Sequence, residues 1–294
     1  MTPQTPALTT HQPTPVLAPP TADAAWQQLH AAACAPYRPA GRFAWHWARG
    51  KLGHDPVFRG LLTRGDLPAQ ARVVDIGCGQ GLLASLLQAC ADQQTAGHWP
   101  QAWPVAASAR SYTGIELMAT DVARGQRALA GISLAPLLLC ADMRTQPLPP
   151  CDLVVILDVL HYVNHDDQVA VLQRVVQALQ PAGRLLLRVG DAASTRGFAI
   201  SQWVDRVVTG VRGHRVAPTW GRSLHDWQAL LTGLGFEVHA VPQSQGTPFA
   251  NVLLVAQCGA ADNTAQAERR AAPKPACSAA SVAARPWPSA VTKV

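Results

Sequence analysis

Val73-Val74-Asp75-Ile76-Gly77-Cys78-Gly79-Gln80-Gly81 is the stretch that decides the fold. A β-branched pair leads through an acid into three glycines at alternate positions, which predicts a buried strand turning sharply into a helix. Glycine permits the tight turn, and it lets a ligand approach the backbone where a Cβ would block it. The helix expected from Leu82 to about Ala91 offers that ligand free amides and the positive end of its dipole. The spacing is not that of the dinucleotide fingerprint G-x-G-x-x-G: the third glycine comes one residue early, and Leu82 holds the place it should have.

An acid two residues before the first glycine, followed by Gly-x-Gly-x-Gly, resembles motif I of the class I S-adenosylmethionine (SAM) methyltransferases. The rest of the chain extends the resemblance over roughly residues 70–257 by element order. Ser111–Glu116 reads as strand two and Leu117–Leu129 as its helix. Ile132–Leu139 reads as strand three, and Asp152–Leu157 as a short apolar strand four of the kind buried in a parallel sheet. Asn164 is a credible cap for a helix running to about Leu179. Pro181-Ala182-Gly183 turns into strand five at Arg184–Val189. A helix near Ile200–Val208, a basic loop with Arg212, His214, Arg215 and Arg222, and a Ser223-capped helix follow. Phe236–Val241 and Asn251–Gln257 close the pattern as an antiparallel end. The resemblance implies an α/β, Rossmann-like class I methyltransferase fold: a seven-stranded, mostly parallel sheet of order 3-2-1-4-5-7-6, helices on both faces, and an N-terminal helical lid.

Composition sets the domain limits. Of 294 residues, 48% are apolar, enough for one sizeable core. Residues 1–22 and 260–294 show no apolar period and are expected to be disordered tails. Residues 23–69 are expected to form the lid, with helices at Ala24–Cys34 and after Asp55-Pro56, where Asp55 is a natural N-cap. Residues 70–259 then form the cofactor-binding domain, with Asp92–Arg110 as an inserted polar loop.

The net charge of +6 is too diffuse to predict nucleic-acid binding. One local bias stands out: Arg38, Arg42, Arg49, Lys51, Arg59 and Arg64 face only one acid, Asp55, in 38–64. The seven cysteines form no C-x-x-C pair, no metal-ligand pattern emerges, and a reducing, cytoplasmic setting is expected. No basic-then-apolar leader is visible at the N-terminus. No apolar run approaches the ~18 residues of a membrane span.

The site residues follow from the resemblance. Asp75 anchors the methionine end of S-adenosyl-L-methionine, and Gly77, Cys78, Gly79 and Gly81 offer backbone to the same part. Glu116, ending strand two, accepts both ribose hydroxyls, since a carboxylate takes two donors in one plane. It lies 41 residues beyond Asp75, a long spacing for the family that the 92–110 insertion explains. Leu117 packs on the adenine, Asp142 accepts from its amino group, and the Met143 amide meets a ring nitrogen. Asp158, in Leu-Asp-Val-Leu-His-Tyr, lies beside the transferred methyl.

Absences narrow the reaction. The strand-four loop is not [Asp/Asn]-Pro-Pro-Tyr, Cys151 precedes strand four instead of following it, and no Lys-Asp-Lys-Glu set appears. The pattern most resembles the small-molecule branch, with a free or carrier-borne acceptor and O-methylation favoured. His161 is the candidate base, histidine being the side-chain type most used for proton transfer near neutral pH; a histidine that only packs in that loop is the alternative. Tyr162, Arg38 and Arg42 are the candidate acceptor contacts, for an anionic acceptor. An NAD(P)-dependent oxidoreductase and a non-catalytic SAM-binding scaffold are the rival readings.

Overall fold

The computed structural model describes residues 21–190, 220–243 and 251–259. Residues 1–20 of the expected N-terminal tail, the C-terminal tail, the helix near Ile200–Val208 and the Arg212–Arg215 loop lie outside the described residues, whereas Thr21 and Ala22, assigned to that tail, begin the first helix.

Three helices come first: α1 (Ala22–Cys34), α2 (Arg42–His54) and α3 (Pro56–Arg64). Each start has a local cause. The Thr21 hydroxyl accepts from Ala24 N at 3.3 Å, so α1 begins two residues earlier than expected. Asp55 accepts from Val57 N at 3.1 Å with Pro56 behind it. Gly65, at φ 73°, ends α3 in the left-handed conformation.

The sheet then alternates with helices: β1 (Ala71–Ile76), α4 (Leu82–Thr95), β2 (Ala109–Glu116), α5 (Ala119–Leu129), β3 (Leu137–Cys140), β4 (Cys151–Leu157), α6 (His165–Ala178) and β5 (Leu179–Gly190). Beyond these come α7 (Leu224–Gly233), β6 (Phe236–Pro242) and β7 (Asn251–Cys258). The seven strands run in the order β3-β2-β1-β4-β5-β7-β6. β1 to β5 pair in parallel, and β7 is antiparallel to both β5 and β6. The expected topology is therefore present.

Besides the earlier start of α1, three elements differ from expectation. β5 begins at Leu179, so Pro181-Ala182-Gly183, expected as the turn before a strand at Arg184, lie inside it. β3 is shorter, because Ile132 to Pro136 form a turn with Ala135 at φ 45°, and Pro136 has no N–H to give a ladder. The 92–110 insertion is not simply a polar loop. Its first residues complete α4, and Trp99 and Trp103 then meet edge-to-face at 5.4 Å, with Trp103 buried in the core.

Both faces of the sheet are covered, and the strands show it in a period of two. Val73, Leu153, Val155 and Leu186 pack with α1 to α5, whereas Val74, Val154, Ile156, Leu185 and Leu187 pack with α6 and α7. The strand order reverses between β1 and β4. In open α/β sheets the carboxyl ends of the strands at such a reversal form the ligand crevice.

Candidate active site

The crevice is built first from the three glycines. Gly77, Gly79 and Gly81 have φ of 76°, 55° and 74°, a region L-residues enter at a cost. Their surroundings separate them. A Cβ on Gly77 would lie 2.4 Å from Val159, and one on Gly81 2.7 Å from Leu129. These two glycines let helix and strand ends pack closely. A Cβ on Gly79 would meet only the Trp47 ring, at 3.6 Å, so Gly79 is the glycine whose backbone faces the crevice under α2.

The acids stand around this turn. Glu116, at the end of β2, accepts from Gly79 N at 3.0 Å and from Met118 N at 2.9 Å. Its carboxylate thus ties the β1 and β2 loops together. Burial raises its pKa, these amides oppose the rise, and Asp121 adds to it. The next side chain, Leu117, is 51% exposed although large and apolar.

Asp75 is 5% exposed, and its Oδ2 accepts from the Tyr112 hydroxyl. Burial pushes this carboxyl up to about 7; the Tyr112 hydrogen bond opposes the shift, and the Glu116 charge adds to it. The Cys78 thiol is pushed far up, by burial first and then by Asp75. It is a small packing residue with no thiolate character.

Asp142, beyond β3, is half-buried, and Arg144 grips it: Nε lies 2.9 Å and Nη2 2.6 Å from Oδ2. Burial alone would raise the Asp142 pKa, but the Arg144 hydrogen bonds outweigh it and lower it. Arg174 on α6 donates to the carbonyls of Met143 and Arg144, which pins this loop.

Asp158 ends β4 with φ 60°. Arg188 on β5 donates to it from Nε at 2.8 Å and from Nη2. The same guanidinium donates to Asp55 at 2.5 and 2.6 Å. Lys51 Nζ lies 2.7 Å from Asp55 and 3.8 Å from Asp158. Burial would raise the Asp55 pKa, yet Arg188 and then Lys51 hold it well below the usual carboxylate range. His161 and Tyr162 follow in a single 3₁₀ turn, with ring centroids 4.2 Å apart. Gln168 holds that turn in place by donating to Val163 O at 3.1 Å and Trp220 O at 2.8 Å.

Asp75, Gly79, Glu116, Leu117, Asp142, Met143 and Asp158 thus lie at the carboxyl ends of β1 to β4. Arg38 and Arg42 lie elsewhere. Arg38 stacks on Trp45 at 5.2 Å, with Arg49 on the same ring at 4.9 Å. Arg42 is exposed at the first turn of α2, turned away from the buried Ala44, Ala48 and Leu52.

Sequence reasoning read Trp47 and Lys51 as undistinguished members of the aromatic and basic 38–64 stretch, and it did not single out Tyr112 or Arg188. Of these last two, Arg188 left a signal, as a lone charge inside the apolar run Leu185-Leu186-Leu187-Arg188-Val189.

A family model described as a methyltransferase domain matches residues 44–241. A trans-aconitate 2-methyltransferase of Methylobacterium nodulans is 31% identical over 132 residues, which are 45% of this chain and 43% of that protein. This chain therefore spans less than half the length of that relative. Two solved structures share the fold. The apo SAM-dependent methyltransferase SibL has a TM-score of 0.52 at 18% identity, covering 74% of this chain and 57% of its own. A family 2 O-methyltransferase of Planctomyces limnophilus, bound to apigenin, has a TM-score of 0.50 at 15% identity, covering 76% and 62%.

The donor set fits S-adenosyl-L-methionine. Two carboxylates, Glu116 and Asp142, flank an exposed apolar side chain, Leu117, as a ribose and a purine require. Among the described residues, Asp75 is a buried carboxyl bonded by a single neutral hydroxyl, and a cationic amino-acid tail complements it. With the fold, this donor set and the family match over two thirds of its length, the chain belongs to the class I methyltransferase superfamily, and its cofactor is S-adenosyl-L-methionine.

Proposed function

We propose that this protein methylates a small organic acceptor, at oxygen in preference to nitrogen or carbon, and that the acceptor is anionic. The observation that carries this reading is the row of acids at the ends of β1 to β4, roofed by a helix that bears a single unstacked ammonium. The trans-aconitate 2-methyltransferase, a relative named for a small carboxylated acceptor, supports the same substrate class. An acceptor held on an acidic carrier protein is the wider form of the reading.

The bound cofactor supplies a methyl group on a positively charged sulfur; the chain's own residues do the rest. Glu116 accepts from the ribose hydroxyls while keeping its amide bonds to the glycine turn. Leu117 and Met143 flank the adenine. Asp142 accepts from the adenine amino group, exchanging one of its Arg144 contacts for it. Asp75 and the backbone at Gly77, Cys78, Gly79 and Gly81 receive the methionine end. Asp158, fixed by Arg188, faces the reacting region. Methyl transfer is an in-line displacement, so positioning supplies most of the catalysis. His161 takes the proton from a hydroxyl acceptor, with Tyr162 beside it; a carboxylate acceptor needs no base. Arg38 and Arg42, on the outer side of α2, draw anions toward the mouth by their field.

The test is direct. Calorimetry should show binding of S-adenosylmethionine and no binding of NADPH. Incubation with radiolabelled methyl donor and a panel of carboxylic acids, phenols and amines, trans-aconitate included, should label an oxygen acceptor. Donor binding without turnover on any member would leave the scaffold reading in its place.

A further inference from the structure

One face of α2 crosses the strand ends in register with their order. Phe43, Trp47 and Lys51 recur every four residues, so they share a ridge of the helix. Phe43 meets the guanidinium of Arg124 on α5, beyond β2, at 4.4 Å. Trp47 covers Gly79 at the end of β1. Lys51 reaches Asp158 at the end of β4, 3.8 Å away. The helix therefore straddles the β1/β4 reversal, the place where this class of sheet takes its ligand.

Lys51 is unusual in the chain. The other two lysines are Lys274 and Lys293, and every other permanent cation is an arginine. An arginine fork suits fixed bidentate pairing, whereas an ammonium is a compact charge with three rotatable donors. The two cations beside Asp158 divide along that line. Arg188 is 3% exposed, with its fork filled by Asp55 and Asp158. Lys51 is 36% exposed, with close contact to Asp55 alone. Among the described residues, it is the cation at the reversal that can still receive a ligand.

We propose that Lys51 anchors the methyl acceptor through a carboxylate, with Trp47 supplying the apolar wall one turn away. The substrate class is then a small carboxylic acid with an apolar body. This inference rests on the methyl-transfer reading above and assigns its acceptor contact. An ammonium–carboxylate pair is a charge-assisted hydrogen bond. In this partly enclosed position it is screened less than the exposed Arg38 and Arg42.

Because Lys51 is so nearly alone, amine labelling reads it directly. The full chain, loaded with S-adenosylhomocysteine, is acetylated with an N-hydroxysuccinimide ester and followed by mass spectrometry, with Lys274 and Lys293 as internal references. The probes are benzoate and citrate, each against an uncharged counterpart, benzamide and triethyl citrate. At least one carboxylate should slow Lys51 labelling about fivefold or more, with its neutral counterpart and the two reference lysines unaffected. Lys51→Gln should keep its S-adenosylmethionine affinity, which shows an intact cofactor site, while its citrate or benzoate binding in calorimetry falls about tenfold. Failure of both carboxylates to protect, or equal protection by the neutral counterparts, overturns the assignment. Loss of S-adenosylmethionine binding by the parent protein would instead sink the methyl-transfer reading itself.

Discussion

Arg188 and Asp55 form a two-bonded pair, at 2.5 and 2.6 Å, across 133 residues of chain. Asp55 caps α3, and Arg188 sits within β5 beside Asp158, so the pair fastens the N-terminal helices to the strand ends. Removing Arg188 strands two carboxylates, one of them largely buried. Arg188→Met is expected to cost about 3–5 kcal/mol in urea unfolding, and Asp55→Asn in the same background should restore part of it. An Arg188→Met protein of parental stability would show that the pair contributes nothing net.

Acid stability should follow Asp55. Its folded pKa is depressed, so its stabilisation is fully present above the unfolded value, about 3.9, and is lost as pH falls toward the folded value. The unfolding midpoint should drop below about pH 4. Asp55→Asn, already lacking that contribution, should show a smaller drop over the same window.

Asp75 acts in the opposite sense and in a different window. Its folded pKa is raised to about 7. The unfolded carboxyl ionises from about pH 4 upward while the folded one keeps its proton, so stability falls as pH rises from about 4 to 7 and then levels off. The full effect is roughly 4 kcal/mol. Asp75→Asn should remove this slope. Unfolding curves at pH 5 and pH 7.5 that differ equally in parent and variant would refute the placement of the proton.

Glu116→Ala should weaken S-adenosylmethionine binding by about 1–3 kcal/mol, since two hydroxyls lose a charged acceptor. The amides of Gly79 and Met118 also lose theirs, so some loosening of the turn is expected in hydrogen exchange at these residues. Calorimetric affinity equal to the parent's would remove Glu116 from the ribose site.

The glycines should separate by substitution. Gly77→Ala places a Cβ 2.4 Å from Val159 at positive φ, with an expected cost of roughly 2–5 kcal/mol in stability. Gly79→Ala meets only Trp47 at 3.6 Å. It should cost about 1–2 kcal/mol for its backbone conformation and show its larger effect in cofactor affinity. Equal destabilisation by both, with affinity untouched, would show that Gly79 also serves packing alone.

The sequence by itself determined the order of elements, the turn at Gly77–Gly81 and the acids that end β1 to β4. These are local properties: glycine spacing, β-branched runs, caps and an acid at each strand end are all read within a few residues. It also placed β3 too long, because an apolar run such as Ile132–Leu139 reads the same whether or not Ala135 and Pro136 break the ladder. Only the tertiary structure separated Arg38, Arg42 and Lys51 by their distance from the strand ends. Arg38, Arg42 and Lys51 are equal members of one basic stretch in sequence. Helix rotation turns Arg42 away from the core and Lys51 inward, while Trp45 holds Arg38 at 5.2 Å. The Arg188–Asp55 pair was equally illegible, because its partners are brought together by sheet order and not by spacing along the chain. Burial raises the proton affinity of both Asp75 and Asp55, and their neighbours then set them apart: Asp75 has a neutral hydroxyl and the Glu116 charge beside it, whereas Asp55 lies against two cations.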